Sequence, residues 1–341
     1  MPDKTTETQA ESLLPWHQEN WSRLSSQLKQ QRLAHAYLLC GEHGLGKKKF
    51  AAAVARLLLC DNPSTTGPCE NCNDCRFSVN ATHPDLLYVT PEEGGRVLKV
   101  DQVRALTRFT EKTTHSARRK VVILEQADML NMSAANALLK TLEEPAGNTV
   151  ILLLSDKPGS LLPTIRSRCQ RILFITPEPA MALTWLQETL DGKANPQELL
   201  HLAGGKPILA QEIYTSGEVE QRQNIIRAFV QIVDGNLDPI EFAATFKSLN
   251  VSSVMDYLWQ TSALLIKYLL CKDEALLASS EIRAIVTRLQ QSGRDENDSL
   301  TRLLRLNLAA EDAKRQLVSV SNPNQQLIFE SMMWRWSRIS G

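Results

Sequence analysis

The sequence predicts an α/β domain built on a parallel sheet, followed by a small helical lid and an all-α C-terminal domain. Three observations lead there. Short apolar runs of strand length alternate with stretches of helical periodicity over the first half of the chain, the pattern of a parallel sheet covered on both faces. One such run, residues 35–40, leads directly into a glycine loop at 41–48 and then a helical pattern, the setting in which a phosphate loop is credible. Beyond Thr176-Pro-Glu-Pro179, where two prolines cannot continue a strand ladder, the pattern is helical to the end.

Length and composition bound the rest. At about 100–200 residues per domain, a chain of 341 residues predicts two or three domains. A hydrophobic content of 43% supplies buried cores and excludes disorder as the default. Lys+Arg and Asp+Glu are equal at 38 each, so the net charge is zero. That argues against a chain that grips nucleic acid alone over a broad basic face, because phosphate contacts dominate such affinity. Contact with DNA is expected to be local or made together with partners. The first ten residues are polar with no apolar core, so no secretory signal is expected, and no run of 18 apolar residues predicts a membrane span. The expected compartment is the cytoplasm, where the seven cysteines, four of them between Cys60 and Cys75, point to metal rather than disulfides.

Each element has its own warrant. Residues 1–12 form a polar tail, expected to be disordered. Residues 15–31 carry Trp21, Leu24 and Leu28 at helical spacing. Residues 35–40 have the length of a buried strand, and Phe50, Val54 and Leu57 mark the helix after the glycine loop. Strands are expected at 85–90, 120–125, 149–155 and 171–175, and helices at 100–111 and 133–142, the latter starting on a Ser133 cap. Two or three short helices fill 180–207. The stretch from Leu264 to Cys271 reads as a buried helix, and Gly235, Gly293 and Asn322-Pro323 punctuate the C-terminal helices. The expected domains are 13–176, with a zinc module at about 60–75 inserted, then a lid at 177–207 and a helical domain at 208–341.

Residues 41–48 fit G-x-x-x-x-G-K-[ST] except at the last position. Gly41, Gly44 and Gly46 would let backbone N–H groups face phosphate oxygens, and Lys47 would reach the terminal phosphates. Lys48 stands where a hydroxyl should hold Mg²⁺, and an ammonium cannot ligate a metal. A glycine turn with no ligand remains open as the alternative, and binding of ATP or ADP is undecided at this point. The run 121–124 followed by Glu125-Gln-Ala-Asp128 stands where a metal-holding acid pair belongs, but its second position is Gln126, which cannot take a proton. Two defects at separate metal-handling positions argue against hydrolysis by this chain.

Cys60, Cys69, Cys72 and Cys75, spaced C-x8-C-x2-C-x2-C, suit a closed tetrahedral Zn²⁺ site of structural kind, the alternative being four unrelated buried cysteines. Glu70, Asp74 and Asp61 make that segment acidic, against a zinc module that binds DNA, and Arg56 and Arg76 do not reverse it. Cys40, Cys169 and Cys271 lack such neighbours and are expected to be buried. Arg118-Arg-Lys120 and Lys47–Lys49 are basic runs, which are usually solvated faces, with DNA contact a secondary reading. Arg166 and Arg168, taken alone, are surface arginines.

Context changes that last reading. Ser167-Arg-Cys169, the helix Ala134-Ala-Asn-Ala-Leu-Leu-Lys-Thr-Leu-Glu-Glu-Pro145, Pro15-Trp16, Arg32-Leu33, His35-Ala36, the cysteine module, residues 100–104, and Asn322-Pro-Asn-Gln-Gln-Leu327 with Glu330 and Trp334 together resemble the bacterial clamp-loader subunits of the AAA+ class, over residues 14–338. The resemblance implies an AAA+ fold of three domains and a ring-like pentamer with ATP-hydrolysing gamma/tau subunits and a delta subunit. That assembly would act on a sliding clamp and primer-template DNA as part of the DNA polymerase III holoenzyme. It further implies that Arg168, supported by Ser167 with Cys169 packed beneath, reaches into the nucleotide site of an adjacent subunit. Lys48 and Gln126 depart from the hydrolysing subunits and fit the accessory ones, so the chain is not expected to be an enzyme on its own. An active ATPase subunit and a DNA-binding zinc module are the rival readings, both disfavoured by the residues above.

Overall fold

The computed structural model describes residues 13–339 apart from 65, 93–96, 116–118, 191, 193, 246–250, 278, 294 and 319–323. The expected tail at 1–12, Arg118 and the Asn322-Pro323 break lie outside the described residues. The chain divides into two compact units, Met1–Trp185 with Lys206–Leu209, and Leu186–Gly205 with Ala210–Gly341.

The first unit is a five-stranded parallel sheet. Strands β1 (Ala36–Cys40), β2 (Leu86–Val89), β3 (Lys120–Leu124), β4 (Thr149–Ser155) and β5 (Gln170–Leu173) lie in the order β2-β3-β4-β1-β5. Every residue of β1, β3 and β4 is buried, which is why these strands read, between the polar end residues Lys120, Thr149 and Ser155, as apolar runs rather than alternating ones. Successive side chains still part to opposite faces. Tyr37, Leu39, Ile123 and Leu152 meet Trp21, Leu24, Phe50, Val54 and Leu57 of helices α1 (Gln18–Lys29) and α2 (Lys47–Leu59). Ala36, Leu38, Val122 and Leu153 meet Val103, Leu106, Leu138 and Leu142 of α4 (Val100–Glu111) and α5 (Met132–Glu143), α3 being Asn73–Val79.

Several boundaries differ from expectation for local reasons. Helix α5 starts not on Ser133 but after Asn131, whose Oδ1 accepts the Ala134 N–H at 2.8 Å, so Ser133 lies inside the first turn. Strand β5 ends at Leu173 instead of 175, because its partner β1 ends at Cys40. The Phe174 N–H bonds the Cys40 carbonyl at 2.7 Å as the last rung, and Ile175 is exposed. The segment 163–170 holds a further short helix, α6 (Pro163–Arg168), started by Pro163 at its first position. Residues 15–17 form a 3₁₀ turn ahead of α1.

That turn buries His17 among Phe50 and Phe174, with Nε2–H donating to the Leu45 carbonyl at 2.8 Å. Burial lowers its pKa to about 4, the bond to Leu45 opposing the shift. The folded state therefore binds this proton less readily than the unfolded chain. Stability from a neutral His17 is complete above the ordinary histidine value and is lost as pH falls toward 4, a change of roughly 3 kcal/mol. Urea unfolding at about pH 7 and about pH 4.5 is expected to show a smaller acid loss in His17→Gln than in the parent chain. Equal losses in the two chains would assign the acid lability elsewhere.

The second unit is helical. Its helices include α8 (Pro196–Leu202), α10 (Val219–Val233), α11 (Pro239–Thr245), α12 (Val251–Cys271), α13 (Ser280–Gln291), α14 (Glu296–Val318) and α15 (Gln325–Ser337), while α7 (Pro179–Leu190) and α9 (Pro207–Thr215) each carry residues of both units. Phe229, Phe242, Val254, Leu258, Leu265, Leu303, Ala310, Phe329, Met333 and Trp336 form one core. Polar ties fix its register: Trp336 Nε1 donates to the Phe229 carbonyl at 2.9 Å, and Asn307 donates to the Trp259 carbonyl and the Ser262 hydroxyl, each at 2.9 Å. The stretch from Leu264 to Cys271, expected to be a buried helix, is the end of α12 and buries only one face. Leu265, Tyr268 and Leu269 point inward, while Lys267, Leu270 and Cys271 are exposed. Cys271 thus departs from the expected burial. It closes the helix at the surface, its thiol donating to the Lys267 carbonyl at 3.0 Å. Cys40 and Cys169 are buried.

Candidate functional site

The glycine loop follows β1, at the carboxyl edge of the sheet where open α/β folds take ligands. Gly46 stands at φ +85 and caps α2, and a Cβ there would overlap the Leu14 side chain and lie 3.0 Å from the His17 ring. Gly44, at φ +83, packs so closely on Leu209 that an added Cβ would come within 2.5 Å of the Leu209 Cβ. A Cβ on Gly41 would lie 2.5 Å from the Phe174 carbonyl oxygen. Glycine at these positions is thus demanded by backbone conformation and by the protein's own packing.

Lys47 is buried. Its Nζ donates to the Gly41 carbonyl at 2.7 Å and the Glu42 carbonyl at 2.6 Å, and it pairs with Asp156 Oδ1 at 2.7 Å. An ammonium has three N–H groups, and these three partners use them all. Asp156 directly follows β4 and is held in turn, its backbone N–H donating to Asp128 Oδ1 at 3.0 Å. Lys48 Nζ lies 3.0 Å from Glu125 Oε1, so the acid that could face a metal faces an ammonium. Gln126 occupies the left-handed region at φ +52 and leads into the turn carrying Asp128.

The four module cysteines meet. Their sulfur atoms all lie within 4.8 Å of one another, with Cys69 and Cys75 Sγ 4.0 Å apart. Zinc–sulfur bonds of about 2.3 Å in a tetrahedron place sulfurs about 3.8 Å apart, so the donor set fits such an ion with small adjustments. Backbone N–H groups already address the sulfurs: Cys69 N–H to Cys60 Sγ at 3.2 Å, and Cys75 N–H to Cys72 Sγ at 3.4 Å. Hydrogen bonds from the Asn71 and Cys72 N–H groups pull the Cys69 thiol down to about 6, whereas burial pushes the Cys60 and Cys75 thiols up. Helix α3 carries Asp74, whose Oδ1 receives Nε2–H of the fully buried His83 at 3.1 Å. His83 Nδ1 accepts the Asp85 N–H at 3.0 Å, which ties the module to the start of β2.

Arg168 ends α6, with 35% of its side chain exposed. Its Nη2 pairs with Glu143 Oε1 at 2.5 Å and its Nη1 donates to the Thr164 carbonyl at 3.0 Å. Ser167 Oγ donates to the same carbonyl at 3.0 Å. Cys169 is buried in the α4–α5 face of the core, where burial holds its thiol up at about 12, the neighbouring Cys40 adding to the shift. The partners of Arg168 are Glu143 and Thr164, not members of the glycine loop. Of the basic runs, Lys47 is buried as described, and Lys120 is buried with Nζ donating to the Phe109 and Lys112 carbonyls, so neither is a surface contact for phosphates.

Two ion-pair partners of the candidate residues escaped the reading of the sequence, Asp156 beside Lys47 and Glu143 beside Arg168. Asp156 had a signal, since it is the first residue beyond a parallel strand adjacent to β1, but the adjacency of β4 to β1 is a fact of topology. Glu143 sits in a run of two acids at a helix end with nothing in the spacing to tie it to Arg168.

No helix among the described residues is long and apolar enough to cross a membrane. Residues 16–178 match the family described as DNA polymerase III, delta subunit, and residues 216–338 match the family of its C-terminal region. The chain is 35% identical to DNA polymerase III subunit delta' of Pseudomonas aeruginosa over 331 residues, which is 96% of this chain and 98% of that one. It is 34% identical to the delta' subunit of Escherichia coli over 221 residues, 64% and 66% of the two chains. The tau subunit of Bacillus subtilis matches at 32% over 151 residues, 44% of this chain and 26% of that one. A P-loop-type parallel α/β domain, a helical C-terminal unit and near-complete alignment with a delta' subunit lead to one assignment: this chain belongs to the delta' subunit family of the DNA polymerase III clamp loader.

Proposed function

We propose that this chain is a non-hydrolysing subunit of the clamp loader, which scaffolds the loader pentamer and supplies Arg168 to the ATP site of a gamma/tau neighbour. The division of labour follows the domains: an AAA+ domain at 13–176 that presents Arg168, a lid at 177–207, and a collar at 208–341 that joins the ring. Zn²⁺ held by Cys60, Cys69, Cys72 and Cys75 has a structural role. ATP bound by the neighbours then drives loading of the sliding clamp on primed DNA in the cytoplasm, the delta subunit completing the ring.

The observation that carries this reading is the contrast between two cations. Lys47 has every N–H engaged by its own chain, and Lys48 pairs with the acid Glu125, so the lysine that would reach the terminal phosphates has no N–H left for them. Arg168 is half-exposed, has no bond to that loop, and spends only two of the five N–H groups of a guanidinium. A fixed planar cation of this kind stabilises the charge that spreads over a transferring γ-phosphoryl group. Ser167 supports the turn behind it through Thr164.

The isolated chain tests the first half directly. With a fluorescent ATP analogue and Mg²⁺ it is expected to give no saturable binding at loader-relevant concentrations, and with ATP and primed DNA no turnover. Steady hydrolysis by the isolated chain, abolished by Lys47→Ala, would overturn the non-hydrolysing reading.

A further inference from the structure

We infer that Glu143 is a positioning residue for Arg168: its carboxylate holds the guanidinium in the pose from which the neighbouring site uses it. The inference rests on the in-trans role of Arg168 and adds a second residue to it.

Three observations on the chain carry it. The first is geometric. Glu143 closes α5 and Arg168 closes α6, so each side chain hangs from the last turn of a helix, and the two meet at 2.5 Å. Thr164 holds the other terminal nitrogen at 3.0 Å, leaving the guanidinium pinned at two points with three N–H groups unspent. A long side chain tethered twice loses little further freedom when it meets a phosphoryl group, which is what fixed positioning contributes to a transition state.

The second concerns the helix end. The carboxyl terminus of a helix carries a partial negative charge, and acids there are unfavourable. Glu143 is the last residue of α5 and Glu144 is its cap, with Lys140 the basic residue of the final turn. Local helix energetics therefore do not account for an acid at 143, whereas the pair with Arg168 does. The third is exposure. Side chains of 143 and 168 are 49% and 35% exposed, so the pair holds no core together, and removing the carboxylate relieves the helix end instead of opening a cavity.

These features set the expected phenotype. Without Glu143 the arginine keeps one tether, samples more rotamers and occupies the productive pose less often. The neighbouring site then loses rate, while ATP affinity, set by that neighbour's own phosphate loop, is unchanged.

The test is a double-mutant cycle in the reconstituted loader with primed DNA, using Glu143→Ala, Arg168→Ala and the double variant, with assembly checked by size exclusion. Glu143→Ala is expected to lower kcat about 3–10-fold with KM for ATP unchanged. The double variant is expected to match Arg168→Ala alone, because residues that act as a unit are not additive. Glu143→Gln, which keeps an acceptor at the same place, is expected to recover part of the rate. A wild-type rate in Glu143→Ala overturns the inference, as does a loss that adds in full to that of Arg168→Ala. A rate above wild type also overturns it, because the carboxylate would then restrain the arginine. If Arg168→Ala itself leaves the rate unchanged, the in-trans reading fails and this one with it, an outcome distinct from the other three.

Discussion

Replacing Arg168 with alanine is expected to leave the loader assembled while silencing the neighbouring ATP site that this chain is proposed to serve. An arginine supplied across an interface accelerates phosphoryl transfer by roughly 10³–10⁵, or about 4–7 kcal/mol of barrier. The affected site should therefore drop below detection, and total DNA-stimulated turnover should fall by that site's share. The cost to folding is small by comparison. The lost interactions are a half-exposed ion pair and one bond to a carbonyl, and exposed pairs are worth about 0–1 kcal/mol. Arg168→Lys is not expected to rescue, because a point charge on a flexible stem lacks the planar fork. Single-turnover hydrolysis by the reconstituted complex, with wild type and both variants, measures this. Unchanged turnover in a fully assembled Arg168→Ala complex would make the residue structural.

Removal of the Zn²⁺ proposed for the four cysteines is expected to have the other large effect, on stability and not on catalysis. Structural zinc in small peptides contributes about 10–16 kcal/mol of apparent folding free energy. Here the module is only part of a larger unit, so the loss should be felt first at the end of α2, in α3 and around His83, which links Asp74 to the start of β2. Even a loss of about 3 kcal/mol would lower the unfolding midpoint by roughly 6–12 °C. Purified chain should contain one zinc by atomic absorption, and Cys72→Ser should contain none and melt at the lower temperature. Metal-free chain with an unshifted melting curve would mean that the sulfurs cluster without a structural ion.

Fold and chemistry were legible in the sequence to different depths. The parallel sheet could be read because strands buried on both faces are apolar along most of their length, so residues 36–40, 121–124 and 150–154 stand out as apolar runs, with the polar Lys120, Thr149 and Ser155 only at strand ends. Ends of elements were less legible. Where β5 stops depends on where its partner stops, and the cap of α5 depends on which of Asn131 and Ser133 has the extended backbone. Cys271 was misread because apolar content alone does not say which face of α12 is covered.

By itself the sequence determined the parallel α/β domain, the glycine loop with Lys48 and Gln126 in place of metal-handling residues, the four-cysteine module and the candidate arginine. The first three are encoded in residue type and local spacing, and short-range sterics and ligand chemistry suffice to read them, whereas Arg168 was singled out from Arg166 only by the family resemblance. Only the tertiary structure decided what the charges do. Lys47 is neutralised by Asp156, 109 residues away along the chain, Lys48 faces Glu125, and Arg168 leans on Glu143. An ion pair forms between groups that the fold brings within a few ångströms, and Coulomb attraction falls with distance in space without regard to separation along the chain.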